Sequence, residues 1–175
     1  MSNNTKNLVF RYVLWALVVA VMLFIFSHSA KNSEQSSKTS GEVAKTLLSF
    51  VVKDFKALPE AEQQKAVDNL QFIVRKSAHF SVYLALGFLC FLAMNTYSIK
   101  LKTKFISALT ISLLYAISDE LHQLFVPGRA GQIRDVFIDF SGAFVGTLLA
   151  WALVIIIEKI IMRKKGIIHE NQRAY

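Results

Sequence analysis

Apolar residues gather in four long runs almost free of Asp, Glu, Lys and Arg, at 12–30, 77–99, 105–118 and 140–157. About 20 apolar residues cross a hydrocarbon core at 1.5 Å per residue. Three runs meet that length outright. The third meets it only by continuing through Asp119 and Glu120 to Val126. The pattern predicts an all-α polytopic membrane protein, a four-transmembrane-helix bundle with spans at about 8–28, 77–98, 104–126 and 136–162, and residues 1–175 as a single membrane domain. Between the first two spans, 32–40 is Ser/Thr-rich and reads as a solvated loop. From 41 to 55, Val43, Leu47, Phe50, Val51 and Phe55 recur at helical spacing, with Lys45, Lys53 and Asp54 elsewhere on the wheel. Pro59 suits the first turn of a second helix, whose Val67, Leu70, Ile73 and Val74 form a stripe leading into Arg75-Lys76. The segment 41–76 is thus predicted as two amphipathic helices that lie on the membrane surface or cap the bundle. A lid with no chemistry of its own is an equally open reading.

Composition agrees. Hydrophobic residues make up 54% and charged residues 18%, with a mean hydropathy of +0.42, whereas a soluble domain is about a quarter charged. A soluble enzyme, a secreted disulfide scaffold and a disordered tail are excluded. The lone Cys90 has no partner within the chain, so no internal disulfide forms. The net charge of +8 sits beside the spans, and no RNA- or DNA-binding signature accompanies it. No nucleic-acid partner is expected.

Charge placement sets the expected orientation. Lys6 and Arg11 precede the first span; Lys100, Lys102 and Lys104 crowd the link between spans two and three. The C-terminal tail carries Lys159, Arg163, Lys164, Lys165 and Arg173 against Glu158 and Glu170. The link between spans three and four is instead acidic, with Asp119, Glu120, Asp135 and Asp139 against Arg129 and Arg134. Short basic loops stay in the cytoplasm. A plasma-membrane protein with both termini cytoplasmic, and with 27–76 and 119–139 outside, is expected. Ser27-His28-Ser29-Ala30 loosely resembles a signal cleavage site, but the run before it is longer than a usual signal core, which favours an uncleaved anchor.

Charged residues inside spans cost a few kcal/mol each and tend to face a cavity or a partner. On a helix Lys76, His79 and Tyr83 fall on one face at the start of span two. Asp119, His122 and Gln123 share a face at the end of span three, and Glu120 meets Gln123 at i+3. Asp135, Asp139, Gly142 and Gly146 form one stripe in span four, whose glycines allow close helix approach. Glu120 lies 16 residues beyond Lys104, roughly 24 Å into a core of about 30 Å, so the three clusters share one level near the outer headgroups. Arg129 follows the Pro127-Gly128 turn and offers a two-pronged donor to phosphate or carboxylate.

Two readings of this set stay open: an outward-facing polar pocket, or internal neutralisation in which Lys76 and Arg129 pair with Asp119, Glu120 and Asp135. His79, Asp119, His122 and a further carboxylate form a conceivable N/O donor set. No HExxH or other defined metal spacing is present, so neither metal nor cofactor is expected. His28 and His169 read as incidental. Ser77, Ser81 and Ser118 lie near the cluster without a GxSxG elbow.

Lys76-Ser-Ala-His79-Phe80, then Tyr83, Leu86-Gly87, Ser118-Asp119-Glu120-Leu-His122-Gln123-Leu-Phe125-Val-Pro127-Gly128-Arg129, and Asp135-Val136 with Gly142 and Gly146 together resemble the VanZ-like family. The resemblance runs from about Leu8 to Trp151 and extends to the Ser-rich stretch after span one. One departure is Asp139, where the family more often has Asn; a second acid there makes the pocket more negative. The family's namesake belongs to a glycopeptide-resistance cluster and is associated with reduced susceptibility to teicoplanin, a lipid-bearing glycopeptide. The resemblance implies a Gram-positive-type plasma membrane protein working at the outer surface.

Three functions follow as expectations. The first is a binding or protective module whose pocket of Lys76, His79, Tyr83, Asp119, Glu120, His122, Gln123, Arg129, Asp135 and Asp139 engages a membrane lipid, a lipid-linked cell-wall intermediate or a lipoglycopeptide. The second is a hydrolase or transferase on a lipid-linked or phosphorylated envelope substrate. In it Glu120 or Asp119 is the general base, His79 or His122 the acid/base, and Arg129 the stabiliser of developing negative charge. The third is a structural or assembly partner. Four spans leave little room for a transporter unless the chain oligomerises, and no inverted repeat is visible.

Overall fold

The computed structural model describes residues 3–173. Lys6, Lys165, Glu170 and Arg173, counted above for charge, and His169 lie outside the side chains described. Five helices follow one another: α1 (Asn3–Ser29), α2 (Ser33–Val51), α3 (Glu60–Asn95), α4 (Leu101–Gln123) and α5 (Ile133–Arg173), with one 3-10 turn at Phe55–Ala57 and no strand among the described residues. All but α2 are long and apolar enough to cross a membrane. The third run does continue through its acids, since α4 carries Asp119 and Glu120 in its last turns.

Two boundaries differ from the sequence pattern. The Ser/Thr-rich stretch 32–40 is not a loop but the first half of α2. Asn32 caps it by accepting from the Gln35 N–H at 2.8 Å, and Thr39 and Ser40 return their hydroxyls to carbonyls one turn back. The helix after Pro59 does not stop before span two. It runs unbroken through Arg75-Lys76 to Asn95, because no Pro or Gly interrupts it until Gly87, deep in the span. α2 and the turn at Phe55 pack on the front half of α3 through Ala44, Leu48, Phe55, Val67 and Leu70. Val43, Leu47, Phe50 and Val51 are left exposed.

α3 is the hub, and its contact with α5 is the most extensive. The two helices run side by side in the same direction: Lys76 meets Asp135, Phe80 faces Gly142, Leu84 faces Gly146 and Gly87 faces Thr147. A Cβ at Gly142 or Gly146 would collide with the carbonyls of Phe80 and Leu84, and one at Gly87 with that of Ala143. The absent side chains are what lets the backbones touch. Tyr83, Leu86, Cys90 and Phe91 of α3 form the centre of the core, met by Leu14, Val18 and Ile25 of α1 and by small residues of α4 and α5. Tyr115 of α4 donates to the Met22 carbonyl at 2.5 Å, fastening α4 to α1.

Candidate functional site

Helical register brings the polar residues together at the end of the bundle that carries α2. Asp139 lies one turn before Gly142, so the close approach of α5 to α3 presses its carboxylate against His79, with Nδ1 and Oδ1 3.5 Å apart. Asp119 reaches the same spot from α4. Donor atoms of His79, Asp119 and Asp139 all lie within 4.8 Å of one another. One turn earlier Lys76 donates to Asp135 at 2.5 Å, which fulfils one of the ion pairs that neutralisation requires.

The other expected pair does not form. Arg129 sends Nε to the Lys31 carbonyl and Nη1 to Gln123 Oε1, each at 3.0 Å, and touches no carboxylate. Gly128, at φ 74°, makes the turn that aims it; only a residue without Cβ fits there, because Ser33 lies against that position. Burial, and then the neighbouring charge of Arg75, push the Arg129 guanidinium below its ordinary pKa. Arg75 bonds Ser37 at 2.9 Å, while its Nε is buried without a partner. Two guanidiniums facing one space repel each other, and an anion between them relieves that repulsion.

That space is a polar cavity of about 310 Å³ lined by Arg75, Lys76, His79, Gln123, Arg129 and Asp135, among others. Gln123 links it to the acids: its amide oxygen accepts from Arg129, and its Nε2 donates to Asp119 at 3.3 Å. His79 belongs to both parts, lining the cavity and standing against Asp139. An apolar groove of about 180 Å³ between α1, α2 and α3 adjoins the cavity, and Arg75 and His79 line it too.

Of the expected residues, Lys76, His79, Gln123, Arg129 and Asp135 line this space, and Asp119 and Asp139 stand behind it near His79. Glu120 accepts the Gln132 backbone N–H at 2.6 Å, pinning the loop before α5, and its side faces an apolar groove between α4 and α5. His122 stacks on Phe26 of α1 with ring centroids 4.5 Å apart. Tyr83 is fully buried beneath the cluster, its hydroxyl without a partner. Arg75 is the residue that the sequence reading passed over. Its signal was its place one residue before Lys76, where the apolar stripe of Val67, Leu70, Ile73 and Val74 leads into span two.

A family model described as VanZ/LLP1 matches residues 14–156, most of the chain. No curated protein and no solved structure matches.

Proposed function

Because the chain belongs to the VanZ/LLP1 family, whose membership suggests a membrane protein linked to glycopeptide resistance, we propose that it holds the phosphorylated head of a lipid-linked cell-envelope component at the outer face of the plasma membrane. By holding that component it protects it, giving low-level resistance to teicoplanin-like lipoglycopeptides. One observation carries this reading: the cationic cavity and the apolar groove share Arg75 and His79. An amphiphile with an anionic head and a hydrocarbon tail matches that junction, the head between Arg75, Lys76 and Arg129 and the tail in the groove beside Phe24, Ile25 and Val82. Lys100, Lys102 and Lys104 at the opposite end of the bundle support placing the cavity outside. The exposed Val43, Leu47 and Phe50 of α2 then dip into the outer headgroup layer.

The test is binding of a lipid diphosphate to the full chain in nanodiscs, together with lipoglycopeptide susceptibility of cells. Arg129→Ala and Arg75→Ala are each expected to weaken binding about 10- to 100-fold, the worth of a charge-assisted hydrogen bond. Protection should fall in step at normal membrane levels. Wild-type binding and protection in both variants would remove the cavity from the function.

A second reading, hydrolysis of the same head group, is favoured by His79 standing between the cavity and Asp139. An imidazole held by a buried carboxylate is a general base. It takes a proton from water, the water oxygen bonds to phosphorus, and the phosphorus–oxygen bond to the leaving group breaks as Arg75 and Arg129 take up the developing charge. Phosphate release from a lipid diphosphate, lost in His79→Ala, would establish catalysis. Tight binding with no release would leave the binding role alone.

A further inference from the structure

We propose that His79, Asp119 and Asp139 form a binding site for one divalent metal ion of the Mn2+ or Zn2+ class, behind the cationic cavity that His79 lines. Its role toward a phosphate rests on the proposed function; its existence does not.

Three helices supply the donors, and backbone contact fixes them. Gly142 and Gly146 clamp α5 on α3, setting Asp139 against His79, and α4 brings Asp119. The His79–Asp139 separation of 3.5 Å matches two donors sharing one ion at bonds of about 2.1 Å, which stand roughly 3–4 Å apart. The full spread of 4.8 Å closes to that range by side-chain movements of about an ångström.

Beyond His79 the carboxylates have little to stabilise them: the one hydrogen bond is a 3.3 Å contact from Gln123 Nε2 to one oxygen of Asp119. Asp139 is 0% exposed and neither of its oxygens has a hydrogen-bond partner. Asp119 is 3% exposed and its Oδ1 is likewise unpartnered. Each ionised carboxylate buried in this way costs several kcal/mol. Lys76, the nearest ammonium along α3, is already taken by Asp135. A dication neutralises both acids at once. Tyr83, one turn below His79, is fully buried with an unpartnered hydroxyl within electrostatic reach of both acids. It is placed to donate to a ligating carboxylate oxygen, as outer-shell groups in metal sites do. One imidazole nitrogen and two carboxylate oxygens suit Mn2+ or Zn2+ rather than a soft thiophilic ion. Three protein ligands leave room in the coordination sphere for a water or, on the side of His79, which lines the cavity, a phosphate oxygen.

The full chain, purified in detergent and stripped with EDTA, is titrated with Mn2+ or Zn2+ alone, without lipid. The expected result is about one ion retained per chain, with Tm raised by roughly 5–10 °C at an ion concentration near a hundred times Kd. His79→Ala and Asp139→Asn should each weaken the ion by at least about tenfold, since even an outer-shell loss costs that much. Wild-type protein that retains no ion and shows no Tm shift overturns the site. Unchanged affinity in both variants overturns it equally. Should His79→Ala fail to fold, the wild-type titration and Asp139→Asn still decide. Lipid diphosphate binding to the stripped protein separates the two claims. Head-group binding without metal binding leaves the proposed function standing and removes this site, while metal binding without head-group binding does the reverse.

Discussion

The two ends of the bundle treat polar side chains in opposite ways. Around the link between α3 and α4, Arg11 donates to the Thr96 hydroxyl and carbonyl at 3.1 and 2.9 Å and lies over the Tyr97 ring. Trp15 donates to the Tyr97 hydroxyl, and Lys104 to Asn95. At the α2 end, Arg75, Tyr83, Asp119, Glu120, His122 and Asp139 all hold buried atoms with no partner, and among the described residues no other side chain does. Membrane spans satisfy polar groups internally where structure is their only purpose. The Thr96 end follows that rule, and its charges hold the helices together. The α2 end breaks it with six residues, of which Arg75 lines the cavity and Asp119 and Asp139 stand against His79 behind it. That contrast is the strongest sign that the second cluster serves something other than folding.

The severest way to break the contrast is to remove its foundation. In Gly142→Leu the new side chain meets the Phe80 carbonyl, backbone that cannot swing aside, at a cost of about 3 kcal/mol or more. The expected outcome is loss of a monodisperse peak in detergent size-exclusion chromatography. A well-behaved variant would mean that α3 and α5 do not touch here. Lys76→Met comes next. It strands Asp135, whose side chain is 16% exposed, and is expected to lower stability by about 1–3 kcal/mol. The double variant Lys76→Met with Asp135→Leu should recover most of that loss in thermal unfolding, and no recovery would show that Lys76 matters through other contacts.

Asp139→Asn sharpens the contrast by reversing its sign. With chelator present, removing a buried carboxylate whose oxygens have no hydrogen-bond partner should raise Tm by a few degrees, about 1–2 kcal/mol, while binding of the lipid head or the ion declines. A fall in Tm would place Asp139 with the structural residues.

Much of this arrangement was legible along the chain, and what was missed shares one cause. The four spans, the glycine face of α5 and the alignment of Lys76 and His79 with Asp135 and Asp139 follow from helical periodicity within single segments. Periodicity fixes angles about one helix axis but not which neighbour fills a direction. His122 therefore looked like a companion of Asp119, although its ring lies on Phe26 of α1. Arg129 was matched to carboxylates by charge, whereas the turn at Gly128 delivers it to a carbonyl and an amide. Residues 32–40 were assigned to a loop from Ser and Thr content, which omits the cap from Asn32 and the support of α3 beneath.

The smallest effect tests the structural end by itself. Trp15→Phe keeps a flat aromatic ring against α3 and α4 but deletes the donor that reaches the Tyr97 hydroxyl at 3.1 Å. Tyr97 keeps its contact with the Arg11 guanidinium, 4.1 Å from the ring centre, so the helix link is weakened rather than lost. A partly buried neutral hydrogen bond is worth about 0.5–1.5 kcal/mol, and Tm should fall by roughly 2–5 °C. Lipid-head binding, ion binding and drug susceptibility should stay at wild-type values, because no residue near Trp15 lines the cavity. A loss of binding larger than the loss of stability explains would mean that the two ends are coupled through α3, and the division of labour between them would have to be abandoned.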